Sequence, residues 1–179
     1  MSGALLFAPH HDDETLFAAY LCQTHRPRIV TVLRSVNQEA QGISHHERVL
    51  EADDAADVLG CLWEQWPEPD NDPDWSAVEA QMRETREHDD PDRVFAPWPE
   101  HGGHDHHNRV GELASEVFGG RVTFYTTYQY GGDRTKGDPV PFTPEMVLVK
   151  LRALACYESQ ILRGPTRFFT HSLDEWTRA

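Results

Sequence analysis

The sequence predicts an α/β domain built on a largely parallel sheet, and three observations carry that prediction. Strand-like and helix-like segments alternate from the first residues onward. The run Arg28 to Leu33 (Arg-Ile-Val-Thr-Val-Leu) is β-branched and almost continuously apolar, as a strand buried on both faces should be. Two histidine-rich runs each follow a strand-like segment and precede a helix-like one. In open parallel sheets such loops line the ligand-binding crevice at the carboxyl ends of the strands.

In chain order, residues 3–8 read as the first strand and Glu14 to about Thr24 as the following helix. Ser44 can N-cap the next helix, and Glu47 three residues on completes a capping box. Val49, Ala52, Ala56 and Leu59 share one face of that helix, and Gly60 is its C-cap. The acidic, proline-bearing stretch Glu64 to Trp75 reads as a loop, and about Ser76 to Glu87 as a polar helix. Arg93 to Pro97 is a strand ending at the second histidine run, after which a helix extends to about Phe118. Val122 to Tyr128 reads as a strand and Gly131 to Pro141 as a long loop. Pro144 to about Gln160 is a helix with Val147, Leu151, Leu154 and Ala155 on its buried stripe.

A chain of 179 residues with 39% hydrophobic residues and five tryptophans is expected to make one globular domain, residues 1–179. No segment approaches the roughly 20 apolar residues that span a bilayer. The first residues lack a basic region and reach histidine and aspartate too soon for a signal peptide, so a cytoplasmic protein is expected. A net charge of −14 argues against nucleic acid and anionic membranes as partners, and leaves room for a small-molecule substrate. Cys22, Cys61 and Cys156 are widely spaced and odd in number, and read as reduced thiols.

The two histidine runs carry the chemistry. Ala8-Pro9-His10-His11-Asp12-Asp13-Glu14 puts two imidazoles and three carboxylates on one strand-to-helix turn. His101-Gly102-Gly103-His104-Asp105-His106-His107 follows about ninety residues later, and together the runs hold six of the eleven histidines. A catalytic zinc takes three protein ligands from His, Asp or Glu and leaves a position for water. His10 and Asp13 can converge across the turn, one histidine of the second run can complete the set, and Asp12 is then free to act as general base on water. Taken singly, Asp12 or Asp13 could simply cap the helix and the second run could be a solvated loop. Their shared position at strand ends favours a site. H-E-x-x-H, G-x-S-x-G and Walker A sequences are absent.

Pro9 to Glu14 resembles the P-H-x-D-D-E signature of the PIG-L/LmbE-like zinc-dependent de-N-acetylases. Gly103 to Val110 resembles their G-H-x-D-H-x-x-V motif. His46 to Ala52 with Leu59-Gly60 is similar to the family's R-x-x-E-A helix, and Lys150-Leu151 through Tyr157-Glu158-Ser159-Gln160 resembles its closing K-x-x-x-L…SQ helix. The resemblance runs from about residue 4 to 160. It implies a Rossmann-like three-layer fold and hydrolysis of an N-acyl amide, typically the N-acetyl group of a glucosamine-type sugar. It also implies Zn2+ held by His10, Asp13 and His107, with Asp12 as base and His104 stabilising the oxyanion or protonating the leaving amine. Arg48 matches a family arginine that faces the substrate pocket; as a helix residue it could equally pair with Glu47 or Glu51.

One position departs from the pattern. The family places Asp before its last zinc histidine, and here that residue is His106, which would support a protonated His104 less well than a carboxylate. Reading Asp105-His106 as the Asp-His pair would make His106 the ligand; His107 keeps His104 and Val110 in register. His11 is expected in an outer or solvent-facing position, Glu14 as hydrogen-bonding support, and His101 at the pocket rim. Trp98 could stack on a sugar face or pack in the core or rim. Rival readings are a catalytically weakened sugar- or metal-binding relative and a two-metal phosphoesterase. The chain is short for the family, so segments that close the pocket elsewhere would be missing or supplied by an oligomer partner.

Overall fold

The computed structural model of the chain describes residues 3–36, 42–100, 103–127, 137–163 and 173–178. Its elements are β1 (Ala4–Ala8), α1 (Asp13–Phe17), α2 (Ala19–His25), β2 (Arg28–Thr31), α3 (His45–Leu59), β3 (Leu62–Gln65), α4 (Trp75–Asp89), β4 (Arg93–Pro97), α5 (Asp105–Phe118), β5 (Val122–Tyr125), β6 (Asp138–Pro139), α6 (Pro144–Cys156), α7 (Glu158–Leu162) and β7 (Trp176–Arg178). Among the described residues these build one sheet ordered β3-β2-β1-β4-β5-β7-β6. The first five strands in that order are parallel, and β7 runs against both β5 and β6. This mixed, mostly parallel sheet between helical layers is the fold class that the sequence predicts.

The strand periodicity explains the layers. In β1, Leu5 and Phe7 face one core with Val78 and Met82 of α4 and Val110, Leu113 and Val117 of α5. Leu6 and Ala8 face the other, with Phe17, Tyr20, Ala52, Ala56, Ala153 and Tyr157. The β1–β4 junction matters most for function, because the chain leaves β1 toward β2 on one side and β4 sits on the other. That is the switch point at which a crevice opens beyond the strand ends. Helix α5 lies tight on β4: a Cβ on Gly111 would come 2.1 Å from the Pro97 carbonyl oxygen.

Several expected elements differ in detail. The helix after β1 is two helices, interrupted at Ala18 (φ −139°). Ser44 caps α3 by accepting the Glu47 N–H, and Gly60 closes it at φ 72°; the Glu47 carboxylate pairs with Arg163. Within the expected loop from Glu64 lies the end of β3, a strand whose Leu62 is 75% exposed. The expected buried stripe of the last long helix needs correcting, because Leu151 is 47% exposed and Ala155 is exposed while Lys150 and Ala153 are buried. The Lys150 ammonium is tolerated inside because it meets the Glu175 carboxylate at 2.7 Å and the Leu16 carbonyl at 3.0 Å. Cys22 and Cys61 are buried and Cys156 half-buried, all as free thiols. Among the described residues no helix is long and apolar enough to cross a membrane.

Candidate metal centre

The first site turn leaves β1 at Ala8 and enters α1 at Asp13. Asp12 caps that helix in the left-handed region at φ 100°, a conformation that a non-glycine residue adopts at a cost and that clusters at functional sites. Its side chain makes no cap hydrogen bond, so the carboxylate stays available. Glu14 secures the turn: one oxygen accepts the Asp12 N–H at 3.2 Å, and the other accepts the Thr15 hydroxyl at 2.6 Å and the Tyr157 hydroxyl. The supporting role expected for Glu14 is therefore built into the fold.

His10 and Asp13 meet His107 across the β1–β4 switch point. His10 Nδ1 lies 3.4 Å from Asp13 Oδ2, His107 Nε2 lies 3.2 Å from the same oxygen, and the two ring nitrogens are 3.3 Å apart. Ligand atoms 2.0–2.2 Å from a tetrahedral ion stand about 3.3–3.6 Å from one another, so the three donors already have the spacing of one face of a tetrahedron. The set suits zinc, being two imidazoles and a carboxylate. Outer contacts orient each ligand. Thr127 Oγ1 sits 3.0 Å from His107 Nδ1, and Asp13 Oδ2 accepts the His10 backbone N–H at 2.8 Å. Burial opposes ionisation of Asp13, but His107 and His10 hold its carboxyl well below the usual carboxylate range.

Asp12 lies beside this set and is held from the other side by Arg48. Arg48 Nη2 donates to Asp12 Oδ2 at 2.9 Å and to the His11 carbonyl, while Nη1 donates to Glu51 Oε2 at 2.9 Å. Glu51 in turn accepts the Ser159 N–H and, at 2.7 Å, the Ser159 hydroxyl. Arg48 is only 2% exposed; among the described residues its guanidinium is committed to Asp12 and Glu51 on the inside of the protein. Burial pushes the Asp12 carboxyl up to about 7, against the pull of Arg48 and with the push of Asp13 and Glu14.

The second run opens α5. His104 is the N-cap, its Nδ1 accepting the His106 N–H at 3.2 Å. A nitrogen that accepts cannot carry hydrogen, so the neutral ring has its proton on Nε2. Burial, and then His107 and His10, depress the His104 pKa to about 3, so the ring is a neutral N–H donor. Among the described residues the His106 side chain makes no hydrogen bond to the His104 ring, the role expected of the family's Asp. Its Nδ1 lies 2.9 Å from His10 Nε2, and burial, then His10, lowers its pKa to about 4.

Other expected residues fall at varying distances from the centre. His11 is buried rather than solvent-facing, with Nδ1 3.1 Å from the Ser35 hydroxyl. Trp98 is half-buried at the end of β4, edge-on to Phe124 at 5.1 Å, with the Arg178 guanidinium over its ring at 4.8 Å. Aromatic rings against the histidines are instead Trp75, 5.9 Å from His106, and Phe17, 6.2 Å from His107. Trp75, Thr127 and Ser35 were invisible as site residues in the sequence, where none belongs to a motif. His101 and His171 lie outside the described residues.

A donor triad at the switch point of a Rossmann-like sheet, flanked by an anchored carboxylate and a neutral imidazole, describes a metal-capable hydrolytic centre. The family model of the PIG-L proteins, described as GlcNAc-PI de-N-acetylase, matches residues 5–118. The chain belongs to this de-N-acetylase family. No curated protein matches it. Among solved structures it is similar to the deacetylase triple mutant Orf2*T of teicoplanin biosynthesis, at 18% identity and TM-score 0.77 over 93% of this chain and 86% of that one. The A40926 pseudoaglycone deacetylase Dbv21 is similar at 16% identity and TM-score 0.74, over 98% and 96%. GalB, the 4-carboxy-2-hydroxymuconate hydratase of Pseudomonas putida KT2440, is similar at 15% identity and TM-score 0.71, over 99% and 95%. Such identities show a common fold, one that carries hydratases as well as deacetylases.

Proposed function

We propose that this protein is a zinc-dependent amidohydrolase that removes the acetyl group from an N-acetylglucosamine-type sugar or a related small amine conjugate. The observation that carries the reading is the tetrahedral spacing of His10 Nδ1, Asp13 Oδ2 and His107 Nε2. A zinc ion held by these three residues would supply a Lewis acid for the amide carbonyl and would lower the pKa of water. Asp12 accepts the proton of the attacking water as the C–O bond forms, then returns it to the amide nitrogen as the C–N bond breaks, giving acetate and a free amine. A carboxyl near pH 7 suits both transfers. Arg48 keeps that carboxylate aimed, and His104 Nε2–H hydrogen-bonds the tetrahedral oxyanion, a contribution of roughly 3–4 kcal/mol for a well-placed donor.

The charge of −14 supports a small-molecule substrate over nucleic acid or an anionic membrane, and the free thiols fit a reducing, cytoplasmic setting. Metal analysis together with acetate release from N-acetylated sugars tests the reading. Asp12→Asn should keep its zinc and lose at least ~100-fold in turnover. Full turnover by Asp12→Asn would overturn the base, and zinc content unchanged by Asp13→Ala would overturn the metal set.

A further inference from the structure

We propose that His10, His104 and His106 form a second metal site, sharing the His10 ring with the first set and taking a zinc-like divalent ion. His10 offers its two nitrogens in opposite directions. Nδ1 belongs with Asp13 and His107, whereas Nε2 lies 2.9 Å from His106 Nδ1. His10, His104 and His106 each bring a ring nitrogen within 4.8 Å of the others. Their centroids stand 5.0–5.2 Å apart, so the three rings surround one point. All three are half-buried, while Asp13 and His107 are buried.

The donor chemistry selects the ion. Three imidazoles suit Zn2+, Cu2+, Ni2+ or Co2+ and disfavour Mg2+ or Ca2+, which want oxygen. The buried Asp70 carboxylate acts electrostatically on both His10 and His106, adding negative charge near the site. With a first ion on Nδ1, the His10 ring carries hydrogen on Nε2 and donates it to His106. A second ion displaces that proton to solvent and leaves His10 as a bridging imidazolate. His104 joins by giving up its cap hydrogen bond to the His106 N–H, its ring proton moving from Nε2 to Nδ1 through solvent. With metal–nitrogen bonds of 2.0–2.1 Å the two ions would stand about 6 Å apart, well beyond the roughly 3.5–4 Å of two-metal phosphoesterase centres.

The site itself rests on the reading above only through His10, and its inhibitory effect through the oxyanion role given there to His104. Occupying it removes the His104 N–H that serves the oxyanion, so the second ion inhibits. Its signature is stoichiometry: equilibrium dialysis against Zn2+ alone should load two ions per wild-type chain, the second leaving first as chelator is raised. His106→Ala and His106→Gln should each hold one, and Asp13→Ala should retain one on the histidine set. Co2+ titration of the wild type should show two spectral phases. One ion in the wild type and in both His106 variants, with none in Asp13→Ala, overturns the second site and leaves the first standing. Two ions in the His106 variants also overturns it, and no ion in the wild type overturns both sites.

Discussion

Arg48 Nη2 lies 2.9 Å from Asp12 Oδ2, placing a buried cation directly behind the carboxylate that the proposed mechanism uses as base. Arg48 pulls the Asp12 pKa down while burial pushes it up to about 7. Asp12 must be ionised to accept a proton, so turnover should rise with pH and level off above about 7, earlier when a cation sits on the neighbouring Asp13. Arg48→Met removes the downward pull, so the acidic limb should move to higher pH with zinc content unchanged. The variant should also lose about 3–5 kcal/mol of stability, because Asp12 and Glu51 are left without their partner. A kcat profile against pH and a urea melt read the two effects separately.

Thr127 orients His107 through the 3.0 Å contact to Nδ1. Thr127→Val keeps the shape and removes the oxygen. Zinc affinity should fall about 10–100-fold, measured by competition with a chromophoric chelator; unchanged affinity would show that the hydroxyl does not set the ring.

Gly111 lets α5 sit on β4. Gly111→Ala would put a methyl against the Pro97 carbonyl and push the helix, with His104 and His107 on it, away from β1. The expected cost is about 1–3 kcal/mol together with weaker zinc binding. Denaturation and zinc titration on one sample test whether the two losses travel together.

Lys150 and Glu175 form a buried pair at 2.7 Å. Lys150→Met alone should destabilise by about 3–5 kcal/mol, whereas Lys150→Met with Glu175→Leu should recover much of that loss. Urea midpoints of the two singles and the double complete the cycle.

The switch-point architecture was legible because its strands announce themselves: β1 and β2 are apolar, β-branched or both, and each histidine run directly follows a strand. Strand β3 was not, since it lies at the sheet edge with Leu62 facing solvent and with Glu64 and Gln65 among its four residues. The last long helix misled for a related reason. Its leucines suggested the buried face, but an ion pair to a residue twenty-five positions later turned Lys150 inward. At the site, His10, Asp12, Asp13, His104 and His107 stood out as residue types in a pattern. The partners of Arg48 and His106 did not, because sequence spacing carries no information on which ring or carboxylate lies across the crevice. The strand expected to reach Tyr128 ends at Tyr125, and most of the loop expected from Gly131 lies outside the described residues.

The ties from the closing helices back to the first turn bear on how the protein is made. Tyr157 holds Glu14, and Ser159 holds Glu51, which holds Arg48, which holds Asp12. All three proposed metal donors have been synthesised once residue 107 has left the ribosome, some fifty residues before the serine at the far end of that relay. On the proposed mechanism, a nascent chain would present a metal-gathering cluster long before it owns a fixed base, and hydrolytic competence would be among the last properties that translation confers.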